Sequence, residues 1–192
     1  MTVIAPPRRR ARLPALAAAG LLACGLAAHA AGPAEPRIFA PGVISATGNV
    51  DAVTFAPDGA TAWFDAVAGG GSTIMESRRV DGAWTAPRIA SFSGEWRDLD
   101  PAMAPDGSFL VFCSNRPAAP GGTALAATTF DGRVHPGHGS HLWRVDRQGS
   151  GWGEPVPLPA AVNDDTRLYS PSVVRDGSVY YQHPDAGSRT FH

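Results

Sequence analysis

Three histidines are the first residues that could do chemistry. His135-Pro136-Gly137-His138-Gly139-Ser140-His141 places imidazoles at i, i+3 and i+6 in a glycine-rich stretch. Imidazole is a common ligand for Zn²⁺ or Cu²⁺, and a pliant loop could let all three converge on one ion. The same stretch reads equally as a surface loop with incidental histidines. It has no carboxylate beside it to orient the rings, and His141 is expected to begin a strand. His135, His138 and His141 are therefore held as metal candidates, with no metal and no cofactor assigned.

Carboxylates form the second group. Glu95, Asp98 and Asp100 stand together, Asp164 and Asp165 hold a similar place further on, and Asp51 is a partial echo. They read either as a ring of acids around a channel, binding a cation or a basic partner, or as turn and strand-capping residues repeated along the chain. Recurrence favours capping. Cys113 sits in the apolar run Phe109–Cys113 and reads as a buried strand residue, because a nucleophilic thiol needs a histidine partner and a lowered pKa. No G-x-S-x-G, H-E-x-x-H or glycine-rich phosphate loop occurs, so no catalytic residue is assigned. The enzyme alternative is a hydrolase or lyase acting on carbohydrate or peptide.

The elements that must position these groups announce themselves as a repeat. Val53-Thr54-Phe55-Ala56-Pro57-Asp58-Gly59 recurs as Pro101-Ala102-Met103-Ala104-Pro105-Asp106-Gly107, and in altered form as Pro171-Ser172-Val173-Val174-Arg175-Asp176-Gly177. An apolar or aromatic run follows each copy: Ala62-Trp63-Phe64, Phe109–Phe112 and Val179-Tyr180-Tyr181. This is hairpin chemistry. Proline presets φ, aspartate bonds its own backbone, and glycine takes positive φ without a steric cost. A second mark, Gly82-Ala83-Trp84-Thr85-Ala86-Pro87, returns as Gly151-Trp152-Gly153-Glu154-Pro155.

The interval from Asp58 to Asp106 is 48 residues and that from Asp106 to Asp176 is 70. A Gly, Ala and Thr stretch at 117–140 accounts for the excess as a loop insertion, with a short extra hairpin around Ala124 to Val134. A period of about 40–50 residues holding several strands indicates propeller blades. Strands are expected at 50–56, 60–67, 73–80 and 84–91 in the first blade, and at 99–104, 108–114, 141–147 and 154–159 in the second. The third blade offers 168–174 and 178–182. No window in 37–192 has helical periodicity free of a Pro or Gly break. A β-sandwich with coincidental Asp-Gly turns is the competing fold, and three hairpins in register argue against it.

Asp100 to Arg116, with its Asp-Pro-x-x-x-Pro-Asp-Gly core and its Ser-Asn-Arg end, resembles the WD40-like Pro-Asp repeat of TolB-type β-propellers. Leu142-Trp143 resembles that family's third-strand Leu-Trp, and Val162-Asn163 with Ser170-Pro171-Ser172 resembles its inter-blade segment. Arg175 in place of proline, and Cys113 between the Phe and the Ser, depart from the pattern. The resemblance covers residues 37 to 183. It implies an all-β, six-bladed type of propeller in the periplasm or on an outer surface, of which about two and a half blades lie within 37–192. Arg37-Ile38-Phe39-Ala40-Pro41 is expected to be an outer strand, and the ring is expected to be incomplete.

The chain opens with Arg8-Arg9-Arg10 and Arg12, an apolar run from Leu13 to Ala28, and Ala28-His29-Ala30, which together read as a secretory signal peptide over 1–30. Leu21-Leu22-Ala23-Cys24-Gly25 is the alternative, a lipobox that would acylate Cys24 and anchor the chain to the outer membrane. Outside this leader no basic cluster exists, and a net charge of −1 excludes the footprint of a nucleic-acid binder. Hydrophobic residues make up 44%, enough for a packed core, and Gly 22 with Pro 18 suits short strands and tight turns. The expected function is that of an exported, non-catalytic propeller module binding another protein or an envelope component.

Overall fold

Residues 35–45 and 49–185 are described by a computed structural model. Their strands are β1 (Asn49–Phe55), β2 (Thr61–Ala68), β3 (Gly71–Val80), β4 (Ala83–Trp84), β5 (Arg88–Ile89), β6 (Asp98–Met103), β7 (Phe109–Ser114), β8 (Ala127–Thr128), β9 (Val134–His135), β10 (His141–Gln148), β11 (Gly151–Trp152), β12 (Val156–Pro157), β13 (Tyr169–Val173) and β14 (Val179–Gln182). No α-helix occurs among the described residues. The leader at 1–30, with Cys24, lies outside the described residues.

Three antiparallel units follow in chain order. The first runs β1-β2-β3-β4 with β5 also on β3, and the second runs β6-β7-β10-β11 with β12 also on β10. The third is the hairpin β13-β14. The two larger sheets are antiparallel meanders, the second interrupted between β7 and β10 by the β8-β9 hairpin, and the third unit is a single hairpin, so the fold is all-β and built of propeller blades.

Each blade starts from the same turn. Gly59 N–H donates to Ala56 O at 2.8 Å, Gly107 to Ala104 at 2.8 Å and Gly177 to Val174 at 2.9 Å. The three glycines have φ of 67°, 75° and 85°. Asp58, Asp106 and Asp176 each accept the backbone N–H two residues on, at 2.8, 2.9 and 2.9 Å. Arg175 occupies the proline position without altering these bonds. The turn rests on the aspartate carboxylate and the glycine, and proline only pre-sets one φ.

The fourth strand of each full blade is split, where one continuous strand was expected at 84–91 and at 154–159. Val80 and Arg79 pair with β4 while Met75 and Glu76 pair with β5. Gln148 and Arg147 pair with β11 while Arg144 and Trp143 pair with β12. Pro87 and Pro155 stand in the gaps, and a proline has no N–H to give a ladder. The innermost strands bulge as well. Register shifts lie between Val50 and Val53, Leu99 and Ala102, and Tyr169 and Ser172. Asp100 and Ser170, each before a proline, take φ of 52° and 50° there.

The core lies between blades. All six residues of β7 are buried, because both faces of the middle blade are covered. Leu110 and Phe112 join Trp63, Ile74, Phe92, Trp143 and Val145 in the seam with the first blade. Val111 and Cys113 join Leu142 and Leu168 on the side of the third. Each such large side chain contributes about 1.5–3 kcal/mol by leaving water. Inner strands of neighbouring blades are also tied by hydrogen bonds, Met103 N–H to Thr54 Oγ1 at 3.0 Å and Ser170 N–H to Asp100 Oδ2 at 2.8 Å.

Arg37–Pro41 differs from its expected role as an outer strand. It leads into a turn in which Val43 and Ile44 N–H donate to Ala40 O at 3.1 and 3.0 Å. Pro41 lacks a ladder donor and Gly42 has φ of 77°, so the chain folds back instead of extending. The turn lays Ile44 over Ala62 and Phe64, covering the face of the first blade that points away from the second.

The insertion between β7 and β10 carries the short hairpin β8-β9, with Ala127 opposite His135 and Thr128 opposite Val134. Asn115 holds the insertion down. Its Nδ2 donates to Gly137 O at 2.7 Å and its main-chain carbonyl accepts Leu125 N–H at 2.7 Å.

Candidate functional site

The seam between the first two blades is where charged and aromatic side chains concentrate. Its floor is an ion pair. Asp98, wholly buried, accepts from Arg116 Nη2 at 2.8 and 3.0 Å and from Ser93 Oγ at 2.7 Å. Arg116 also donates to Ser114 Oγ at 2.9 Å and to Phe92 O at 3.1 Å, and its guanidinium lies over Phe112 and Trp143. Burial pushes the Asp98 carboxyl above its ordinary value even though Arg116 pulls it down.

Trp152 stands across the seam. It meets Trp63 edge-on at 5.5 Å and Phe92 edge-on at 5.7 Å, and Arg147 stacks over its ring at 4.4 Å. Arg147 Nε donates to Gly107 O at 3.2 Å, fixing the guanidinium against the second Pro-Asp-Gly turn. On one side of Trp152 is an opening of about 510 Å³ bounded by Asp58, Trp63, Arg78, Asp106 and Arg147. On the other is one of about 400 Å³ bounded by Glu95, Trp96, Arg116 and Glu154. Beneath the first, buried Glu76 accepts from Arg78 and Arg88, both at 2.8 Å, and from Trp63 Nε1 at 3.3 Å. Burial would raise the Glu76 carboxyl, but the two guanidinium groups outweigh it and hold the value down.

The remaining acids are spread among separate structural tasks. Asp65, buried in β2, accepts Ala52 N–H at 2.7 Å and Ser72 Oγ at 3.3 Å. Burial raises its pKa, with Asp100 and Asp51 adding to the rise against the Ala52 hydrogen bond. Asp165 pairs with Arg167 at 2.7 Å, which lowers its pKa, and Asp164 lies 2.8 Å from His183 Nε2. Of the acids read in the sequence as possible channel carboxylates, Glu95 borders the smaller seam opening, and Asp98 lies below it.

His135 and His138 are exposed, with ring centroids 6.2 Å apart, and His135 borders a shallow hollow shared with Phe130 and Arg133. His141 opens β10, half-buried, and burial lowers its pKa against the pull of Asp165. Among the described residues no group of three or more His, Cys, Asp or Glu has the geometry of a metal site. Cys113 is buried, and burial pushes its thiol well above the ordinary value.

Arg147, Glu154, Trp96, Asp65 and Glu76 were not singled out from sequence. Trp152 was, but as a repeat mark. A signal for Arg147 exists in hindsight. It lies in β10 opposite Trp152 of β11, and cross-strand neighbours on one face meet.

These blades and their seam define an all-β protein of the propeller-blade type. No protein-family model matches the chain, and no curated protein does. Among solved structures it is similar to TolB from Acinetobacter baumannii, at 15% sequence identity and a TM-score of 0.35, over 73% of this chain and 39% of that one. The similarity thus spans well under two thirds of that protein's length.

Proposed function

We propose that this chain is an exported, non-catalytic β-propeller module, TolB-like in kind, which binds another protein or a component of the cell envelope. The observation that carries the binding reading is the seam. It combines tryptophans, stacked arginine and charged rims around two openings, the residue types that dominate protein recognition surfaces. The buried titratable groups support a structural role for themselves: Asp98, Asp65 and Glu76 each hold hydrogen-bond partners, and the Cys113 thiol is held protonated by burial. Export is supported by the pattern of the first 30 residues. Membrane attachment would enter only through acylation of Cys24, and the net charge of −1 gives no support to a nucleic-acid partner.

The test follows the full chain in a bacterial host with a photo-crosslinking residue at Ser150, which borders the larger opening. The expected result is envelope material starting at Ala31, or at an acylated Cys24, that gives one discrete adduct on illumination. Cytoplasmic retention with Met1 intact, or the absence of an adduct, overturns the reading.

A further inference from the structure

The smaller opening of the seam has a definite chemistry. Glu95 leaves the connection into the second blade, and Glu154 leaves the break in that blade's outer strand before Pro155. They are far apart in sequence and border one cavity of about 400 Å³. Most acids in the described chain are spoken for: Asp58, Asp106 and Asp131 accept within their own turns, and Asp146 and Asp165 hold arginines. Among the described residues, Glu95 and Glu154 have neither a hydrogen bond nor an ion pair. Arg116, the one guanidinium bordering this cavity, is committed to Asp98 and Ser114, so its charge is offset by the buried carboxylate.

The walls fit the same ligand. Trp96 and Trp152 border the cavity, and an indole face attracts an ammonium or guanidinium group through its quadrupole. Ser91 adds a hydroxyl at the rim. Scattered exposed glutamates are ordinary surface. Two of them bordering one cavity together with two tryptophans offer a basic side chain both negative charge and an aromatic wall for its stem.

We propose that this opening receives a basic side chain, an arginine or lysine, of a protein partner. The proposal rests on the protein-binding reading and adds the chemistry of what is bound. Arginine suits the site best, since its planar donors can reach two carboxylates while its face lies against an indole. The large opening on the other side of Trp152 then accommodates flanking peptide, with Arg147 and Asp106 within reach of its backbone.

The probe is an acetylated, amidated heptapeptide of glycine and serine with one central arginine, set against the same peptide with uncharged citrulline. It is titrated into the full chain while the indole N–H resonances are followed. Saturable shifts of Trp96 and Trp152 with the arginine peptide, and none with citrulline, are expected. In the double variant Glu95→Gln, Glu154→Gln, whose sites are exposed and leave the core intact, affinity should fall at least about tenfold, since hydrogen bonds to charged groups are the stronger ones. Equal binding of the citrulline peptide, an unchanged double variant, or no saturable shift at millimolar peptide overturns the proposal. If the Ser150 cross-link of the exported chain persists while the arginine peptide fails to bind, only this inference falls. Loss of that cross-link in the unaltered chain overturns the wider reading on which it stands.

Discussion

Replacing Arg116 by methionine removes the cation from beneath the seam and leaves Asp98 with hydroxyl partners only. Asp98 has no exposed surface and Arg116 only 9%, so water cannot take the guanidinium's place. Truncating one partner of a buried pair typically costs about 3–5 kcal/mol, because a charge is left uncompensated. Against a total stability of roughly 5–15 kcal/mol this is a large share. With a urea m-value of roughly 1–3 kcal/mol/M, the unfolding midpoint should drop by about 2 M. The pH dependence separates a lost charge partner from lost packing. Burial already raises the folded-state pKa of Asp98 above the ordinary 3.8. Between those two values the folded state binds the proton more than the unfolded state does, so stability falls as pH rises through the window. Arg116 limits that rise. Without it the folded-state value moves further up and the window widens. The variant should therefore suffer most at neutral pH and recover part of its deficit in acid buffer, where Asp98 can take up a proton. Urea melts of both proteins at the two pH values decide it. A deficit under about 1 kcal/mol, or one equal at both pH values, would refute the account of Asp98 as a buried charge held by Arg116.

Gly107→Ala should cost more than Gly59→Ala in thermal melts. Both glycines have positive φ, worth about 1 kcal/mol to an alanine, but a methyl on Gly107 would also meet Pro57 Cδ at 3.1 Å while Gly59 faces open space. Arg175→Pro should stabilise the third turn by about 0.4–1 kcal/mol through the unfolded chain, and a loss of stability would mean that this turn differs from the other two. Cys113 should resist an aromatic disulfide reagent in native buffer and react fully in denaturant, and rapid native labelling would contradict its burial. Tyr180, 65% exposed on β14, borders an edge that no strand covers among the described residues. Tyr180→Lys should lower self-association in light scattering, as charge on an open edge does.

What the sequence revealed, and what it hid, divides along the range of the interactions. Hairpin turns are local: the aspartate and glycine that close them sit within four residues, so three turns and most strand positions could be read directly. The turns that lead into the blades resisted reading as a repeat because backbone atoms close them. Ala40 O accepts from Val43 N–H, Ala90 O from Ser93 N–H and Pro159 O from Val162 N–H, at 3.1, 2.9 and 2.8 Å. One turn thus recurs three times with almost no shared residue types, and a comparison of letters passes over it. The Trp-Pro mark shows the opposite case, visible but without its reason. Trp84 packs on Phe39 at 5.4 Å, and Trp152 packs on Phe92 at 5.7 Å. Phe39 and Phe92 each belong to the connection that leads into the blade bearing the tryptophan. The mark is therefore a clamp: each blade's broken outer strand bends at its proline and lays an indole over the segment by which the chain arrived. In the second blade the clamped segment carries Glu95 and Trp96 and the broken strand carries Glu154. The same contact that holds the blade together also brings the candidate site's two halves to one cavity. For that reason the site could not be found by motif. Its residues share no spacing, only a common dependence on where Trp152 lies.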